Sequence, residues 1–206
     1  MNRTRLLAYL VMGLVAAPAL AQEKKAAPKK GEPDMAKMME AMQKYATPGE
    51  AHQAFKPIVG SWTCTVKFWM SPSAPAQESP ATEEAKMVMG DRYLHEMVKG
   101  SFSGMPFEGS GIVGYDNAKK KYVGAWIDNM GTGIMTSEGT YDAAKKTFTM
   151  ESQGTDPMTG KTMKSRDVLR IESDTKMVRE MWAKAPNGKE FKSMEITYTR
   201  KGVAAK

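Results

Sequence analysis

The feature that most constrains this chain is a hairpin written twice. Gly114-Tyr115-Asp116-Asn117-Ala118-Lys119-Lys120-Lys121-Tyr122 returns 26 residues later as Thr140-Tyr141-Asp142-Ala143-Ala144-Lys145-Lys146-Thr147-Phe148. Each copy carries an aromatic at a strand end, a turn-starting Asp, an exposed Ala-Lys-Lys corner and an aromatic that opens the return strand. An Asp side chain can satisfy the turn's own backbone, so this chemistry favours a tight reversal between two strands. Two such corners in succession impose an antiparallel meander.

The rest of the chain from Gly60 onward follows the same plan. Trp62, Cys64, Val66 and Phe68 alternate with Thr63, Thr65 and Lys67, the period of a strand with one apolar row. After a Pro- and Ser-rich loop over Ser71 to Pro80, strands are expected near 82–89, 92–99, 107–115, 121–128, 132–141, 146–153, 161–171, 176–183 and 190–200. With the first, that makes about ten, separated by short turn signals. The expected fold class is all-β: a single antiparallel up-and-down β-barrel, because closure removes the exposed strand edges. A barrel of this strand number encloses room for a small ligand. Met163, Ser165, Asp167, Leu169 and Ile171 share one inward row, and Met194, Ile196, Tyr198 and Arg200 share another. Asp167 and Arg200 should therefore find partners, since a buried unpaired charge is costly.

The segment before the barrel divides in three. Arg3 and Arg5 precede an apolar run from Leu6 to Ala17 and the small-residue site Ala19-Leu20-Ala21, which reads as a signal peptide over residues 1–21. Residues 22–33, rich in Lys, Ala and Pro, read as a flexible linker. Residues 34–58 should hold short helices, the first capped by Asp34 and carrying Met35, Met38, Met39 and Met42 in a stripe. That stripe is expected to pack on or plug the domain, with a soft binding face or a thioether metal site as the other readings. The second helical turn is expected from Pro48 to Phe55, with Thr47 as its cap. Residues 59–201 form the barrel. No later run reaches the length a transmembrane helix needs, so the expectation is an exported protein of the periplasm or the extracellular space.

Removal of the leader lowers the formal charge from +7 to +5. Lysines sit singly or in short runs of two or three at corners, without an Arg-rich stripe or aromatic-basic repeat, which argues against nucleic acid as a partner. The sole cysteine, Cys64, lies on an apolar row and reads as a small buried hydrophobe.

Several motifs fail on context. Gly109-Ser110-Gly111-Ile112-Val113-Gly114 spells a dinucleotide fingerprint, but it runs into a hairpin, and that fingerprint needs a helix after it. Glycines at this density in a strand instead permit strong curvature. Gly160-Lys161-Thr162 resembles the end of a phosphate loop, yet position 155 is Thr where a glycine is required. No cluster has zinc spacing, and no Gly-x-Ser-x-Gly elbow is present. His95, on a row with Tyr93 and Met97, could project into the lumen, where haem would be the conceivable cofactor; otherwise none is expected. The densest patch of ligand-binding character is Tyr122, Trp126 and Asp128 on one strand face, with Tyr93, His95, Asp167 and Tyr198 across the lumen.

The stretch from Glu50 to Arg200 resembles the exported bacterial family catalogued as domain of unknown function 1579. The likeness runs through Phe55-Lys56-Pro57-Ile58-Val59-Gly60-Ser61-Trp62, Gly90-Asp91-Arg92-Tyr93, Gly104-Met105-Pro106-Phe107-Glu108-Gly109, Gly114-Tyr115-Asp116, Tyr122-Val123-Gly124-Ala125-Trp126-Ile127-Asp128 and Met194-Glu195-Ile196-Thr197-Tyr198-Thr199-Arg200. The family implies architecture and no activity. Gly60-Ser61-Trp62 is also similar to the Gly-x-Trp opening of the lipocalin-like barrels, with Arg200 in the place of the arginine that covers the tryptophan. That likeness implies a structural role for Trp62 and Arg200, an indole closing one barrel end beneath a guanidinium.

The function expected from these readings is an exported, non-enzymatic barrel that binds a small apolar or amphipathic ligand in its lumen. Two alternatives stay open. One is a carboxylate-dependent enzyme of hydrolase or isomerase type using Asp128 or Asp167; the other is an envelope interaction module using the Met-rich helix.

Overall fold

A computed structural model describes residues 34–185 and 187–202. The leader and linker readings lie outside these residues. The described chain opens with α1 (Met35–Ala46) and the single turn α2 (Glu50–Gln53). Ten strands follow: β1 (Gly60–Phe68), β2 (Gln77–Val88), β3 (Tyr93–Phe102), β4 (Met105–Asp116), β5 (Lys121–Asp128), β6 (Met135–Asp142), β7 (Thr147–Thr155), β8 (Thr162–Ser173), β9 (Lys176–Lys184) and β10 (Glu190–Arg200). Each pairs antiparallel with its sequence neighbour, and β1 also pairs with β10, which closes the barrel. The expected ten-stranded up-and-down barrel is the fold.

The repeated corners behave alike. Asp116 Oδ1 accepts the backbone N–H groups of Ala118 and Lys119 at 2.8 and 3.0 Å, and Asp142 Oδ1 accepts that of Lys145 at 3.1 Å. In each turn the last lysine, Lys120 or Lys146, adopts a left-handed backbone (φ 58 and 48). That reversal leads the chain straight into the next strand.

Three boundaries differ from expectation. The Pro-rich loop ends earlier, because Gln77 to Pro80 already pair with β1. Pro80 is tolerated there because β3 pairs with β2 only from Ala81 onward, so on that side the strand is still an edge. β3 and β4 run on to a two-residue turn at Ser103-Gly104, both left-handed (φ 50 and 82), the turn whose twist matches a hairpin. Thr47 does not cap the second helix. Its hydroxyl donates to Gln43 O at 2.7 Å and so serves the end of α1, while Gly49 stands at the start of α2.

The plug also differs. α1 buries none of its residues, and Met35, Met38, Met39 and Met42 are exposed. Its Asp34 cap is as expected, but the helix is held only at its far end. There the carbonyls of Tyr45 and Thr47 accept from Asn117 Nδ2 at 2.8 and 2.9 Å, and that of Ala46 accepts from Arg92 Nε at 3.0 Å. The barrel end is closed instead by α2 and the turn after it. His52, Phe55 and Ile58 are buried, and Phe55 sits among Tyr122 and Phe148, with ring centroids 5.4 and 5.7 Å away.

The first and last strands complete this closed end. Trp62, fully buried, donates from Nε1 to Ile58 O at 2.8 Å. The Arg200 guanidinium lies 4.1 Å above its ring and donates to the carbonyls of Pro57, Val59 and Asp174 at 2.6–2.7 Å. A Cβ on Gly60 would stand 2.2 Å from Arg200 Nη1, and Gly60 has φ 138. The glycine of Gly-x-Trp is required by the space that the arginine fills.

Candidate functional site

Above the plug the barrel is hollow. A cavity of about 420 Å³ extends from Phe55 and Ile58 at the closed end to Phe102, Phe107 and Met130 near the opposite rim. Its walls come from the inward rows: Val66 of β1, Ala81 of β2, Val98 of β3, Val113 of β4, Met135 of β6, Met150 of β7, Met181 of β9, and Met194 and Ile196 of β10. Away from the plug the apolar lining is mostly Val, Ala, Met, Leu and Ile, with rings only at Phe102, Phe107 and Trp126, so ten strands enclose more volume than these residues fill.

Trp126 forms one wall. Its indole lies against β4, where a Cβ on Gly109 would approach it to 2.2 Å and one on Gly111 to 3.0 Å. The glycines of the false dinucleotide fingerprint therefore do not leave empty room; they seat the indole. Gly114 serves the outer surface in the same way, because its missing Cβ makes space for the Tyr93 ring at 2.5 Å. Trp126 Nε1 donates to Asp128 Oδ2 at 2.9 Å, and Asp128 Oδ1 accepts the backbone N–H of Met130 at 3.0 Å. Both oxygens of Asp128 are committed to orienting the indole and the turn, and this weakens the reading of Asp128 as a general base.

The remaining polar lining converges on one arginine. Arg179 Nη2 donates to Glu96 Oε1 at 3.0 Å, and its Nε stands 3.8 Å from Asp167 Oδ2. Glu96, Asp167 and Arg179 all face the cavity, while Glu83 and Tyr198, each 1 % exposed, lie in the packing behind them. Glu83 Oε1, Tyr198 Oη and Arg179 Nε are buried without a hydrogen-bond partner. Burial, reinforced by the charge of Glu96, pushes the Glu83 carboxyl well above the usual carboxylate range. Burial also raises Asp167, against the pull of Arg179. Burial alone would lower Arg179, but Tyr198 and the three carboxylates hold it well above its ordinary value. Cys64, on the same inward side, has its thiol pushed up to about 12 by burial, so it stays a neutral hydrophobe.

The structure sorts the sequence candidates into three groups. Trp126, Asp128 and Asp167 line the cavity together. Tyr122 and Tyr198 face inward but belong to the packed end: Tyr122 donates from its hydroxyl to Ala51 O at 2.8 Å, and Tyr198 packs edge-on against Trp62. Tyr93 and His95 point the other way. The inward row of β3 is Leu94, Glu96 and Val98, so its neighbours face out, with Tyr93 40 % exposed and His95 paired with Ser110 Oγ at 2.9 Å. A haem ligated by His95 inside the lumen is ruled out by that orientation. His52 sits in the plug, where its Nδ1 accepts the Gly49 N–H at 3.0 Å and burial lowers its pKa.

Glu83, Glu96 and Arg179 were not singled out from the sequence. A signal for two of them was present, since Leu94-x-Glu96-x-Val98 and Met177-x-Arg179-x-Met181 each set a charge inside an apolar row. Among the described residues no group of His, Cys, Asp and Glu is arranged to hold a metal ion. No helix among them is long and apolar enough to cross a membrane.

A closed antiparallel barrel, plugged at one end and hollow at the other, defines the structural class. Residues 47–200 match the family described as "Protein of unknown function (DUF1579)", and the chain belongs to that family. No curated protein matches its sequence. In fold it is similar to Rv2717c from M. tuberculosis, with TM-score 0.57 and 17 % identity over 75 % of this chain and 99 % of that one. It is also similar to the S-type phycobiliprotein lyase CPES from Guillardia theta, with TM-score 0.52 and 13 % identity over 76 % of this chain and 99 % of that one.

Proposed function

We propose that this protein is an exported binder that holds a small apolar or amphipathic molecule in the barrel lumen. The observation that carries this reading is the cavity itself. Its volume falls in the range of small-molecule sites, and its walls are apolar apart from a few convergent polar groups. The fold shared with a phycobiliprotein lyase supports a small-molecule role as well. The committed hydrogen bonds of Asp128 favour binding over chemistry at that residue. Asp167 keeps a second reading alive, because its carboxyl lines the cavity with no hydrogen-bond donor among the described residues and burial raises it.

Titration with an apolar fluorescent probe tests the proposal. Saturable binding is expected with quenched or shifted tryptophan emission, weakened about tenfold by Trp126→Ala, a loss of about 1.4 kcal/mol, and changed less by Asp128→Asn. A probe that never saturates would defeat the binding reading. Turnover of an ester or lactone abolished by Asp167→Asn, with probe binding kept, would replace it with the enzyme reading. Export is tested by the N-terminal residue of protein recovered from a periplasmic fraction, which should be Gln22.

A further inference from the structure

The charge of the cavity lining points to the chemistry of its occupant. The ionisable residues that line it are Glu96, Asp128, Asp167 and Arg179, three carboxylates against one guanidinium. Arg179 is already engaged by Glu96 and Asp167. An anionic head group would have to displace one carboxylate and face another at close range in a medium of low dielectric.

The carboxylates, by contrast, have capacity left. The Glu96 side chain is 4 % exposed, only its Oε1 receives a hydrogen bond from Arg179, and its Oε2 has no donor among the described residues. That free oxygen borders the same point as the indole. A Cβ on Gly111 would lie 3.3 Å from Glu96 Oε2 and 3.0 Å from the Trp126 ring. Asp167 accepts no hydrogen bond among the described residues and has its nearest cation at 3.8 Å. An aromatic ring beside unsaturated carboxylates in an apolar chamber is the arrangement that recognises an organic ammonium group, through ion pairing and cation–π attraction together.

A bare metal ion does not fit as well. No metal-binding group is present among the described residues, and a small ion would leave the Phe, Val and Met walls without contact. We infer that the lumen takes a cationic amphiphile, its ammonium group between Glu96, Asp167 and the Trp126 indole and its hydrocarbon body along the methionine and valine walls. The inference rests on the proposed lumen binding and adds the charge of the ligand.

Competition of three matched probes, octyltrimethylammonium, octanol and octanoate, against an apolar dye in the lumen separates the two claims. The ammonium should displace the dye about tenfold more tightly than octanol, and octanoate should be the weakest. Asp167→Asn and Glu96→Gln should each reduce the ammonium advantage severalfold while octanol binding persists, which also shows that the variants fold. Equal affinities, or octanoate binding best, would overturn the cationic ligand and leave lumen binding standing. An ammonium preference untouched by both substitutions would overturn the site. Failure of all three probes and of the dye would sink the lumen reading together with this inference.

Discussion

The two halves of this barrel share strands but solve opposite problems. At the plugged end the inward positions are Trp62, Tyr115, Tyr122, Tyr141 and Phe148, and residues outside the barrel add Phe55 and Ile58, so rings fill the section completely. Toward the other end the same strands turn mostly Val, Met, Ala and Gly inward, with rings only at Phe102, Phe107 and Trp126, and a cavity opens. At the junction lie Glu83, Glu96, Asp167 and Arg179. The strand ladder runs through both halves, shifting register only at Lys192/Met194 and Ile171/Ser173, so the hydrogen-bonded framework does not decide which half is solid. Side-chain volume does. A framework held at one end by dense packing can leave its other end hollow, because the stability that a void forfeits is supplied by the plug.

If that division is right, truncation at the plug should be the most damaging change. Phe55→Ala removes a ring 1 % exposed from a stacked aromatic cluster and should cost about 4 kcal/mol, measured by urea denaturation of the mature chain. A loss no larger than that of Trp126→Ala in the hollow half would erase the distinction between the halves.

Arg200→Ala comes next. It removes a desolvated contact of about 2 kcal/mol over Trp62 and the donors to three backbone carbonyls. Unfolding free energy should fall by at least that amount, and Arg200→Lys should not restore it, since an ammonium cannot lie flat on the ring and reach those carbonyls together.

The junction should make itself known through pH. Burial and the charge of Glu96 push the Glu83 carboxyl up from its ordinary 4.5 to about 8, so the folded state prefers its neutral form. Its contribution to stability is whole below pH 4.5, declines as pH rises and is lost once pH passes about 8. Asp167 is also raised and adds to the same trend. Melting temperature should therefore fall from pH 5 to pH 8.5 and fall less in Glu83→Gln. An equal slope in the two proteins would show that Glu83 is not buried as described.

The smallest effect is expected outside. Arg170 points away from the lumen and pairs with Glu180 at 3.0 Å, with 39 % of its side chain exposed. Arg170→Ala should change stability by less than about 1 kcal/mol, because the Arg170 end of the pair is half-exposed and Lys192 stays beside Glu180. A cost matching that of Arg200→Ala would mean that position in the barrel wall does not matter.

Much of the fold was legible because its signals are local. Asp116 and Asp142 announce their turns through side-chain bonds two or three residues away, and Trp62 to Phe68 declares its strand by simple alternation. The site was harder to read. On β3 the row Tyr93-His95-Met97 looks as fit for a lumen as Leu94-Glu96-Val98, and a shift of one residue exchanges the faces. The aromatic and the histidine favoured the wrong row; the apolar residues flanking Glu96 were the better guide. Asp167 was read correctly as inward, but its partner Arg179 was not, although Met177, Met181 and Ala183 flank it on an apolar row; the other row, with Val178 and Trp182, looks as fit for the lumen. The methionine stripe of α1 suggested packing, although none of that helix is buried and its terminal carbonyls carry its hydrogen bonds to the barrel.

The sequence by itself determined the strand and turn order and the closure of the barrel, because turn chemistry, period-2 patterning and the need to cover edges act over short spans or follow from strand count; the pairing of Trp62 with Arg200 was implied by the likeness to lipocalin-like barrels. Only the tertiary structure decided that Phe55 and Ile58 are the plug, that Trp126 lies on Gly109 and Gly111, and that Glu83, Glu96, Asp167 and Arg179 meet from β2, β3, β8 and β9. Those outcomes depend on the register around a closed ring and on how much volume the inward side chains fill. Both are sums over residues far apart in the chain, which no local pattern records.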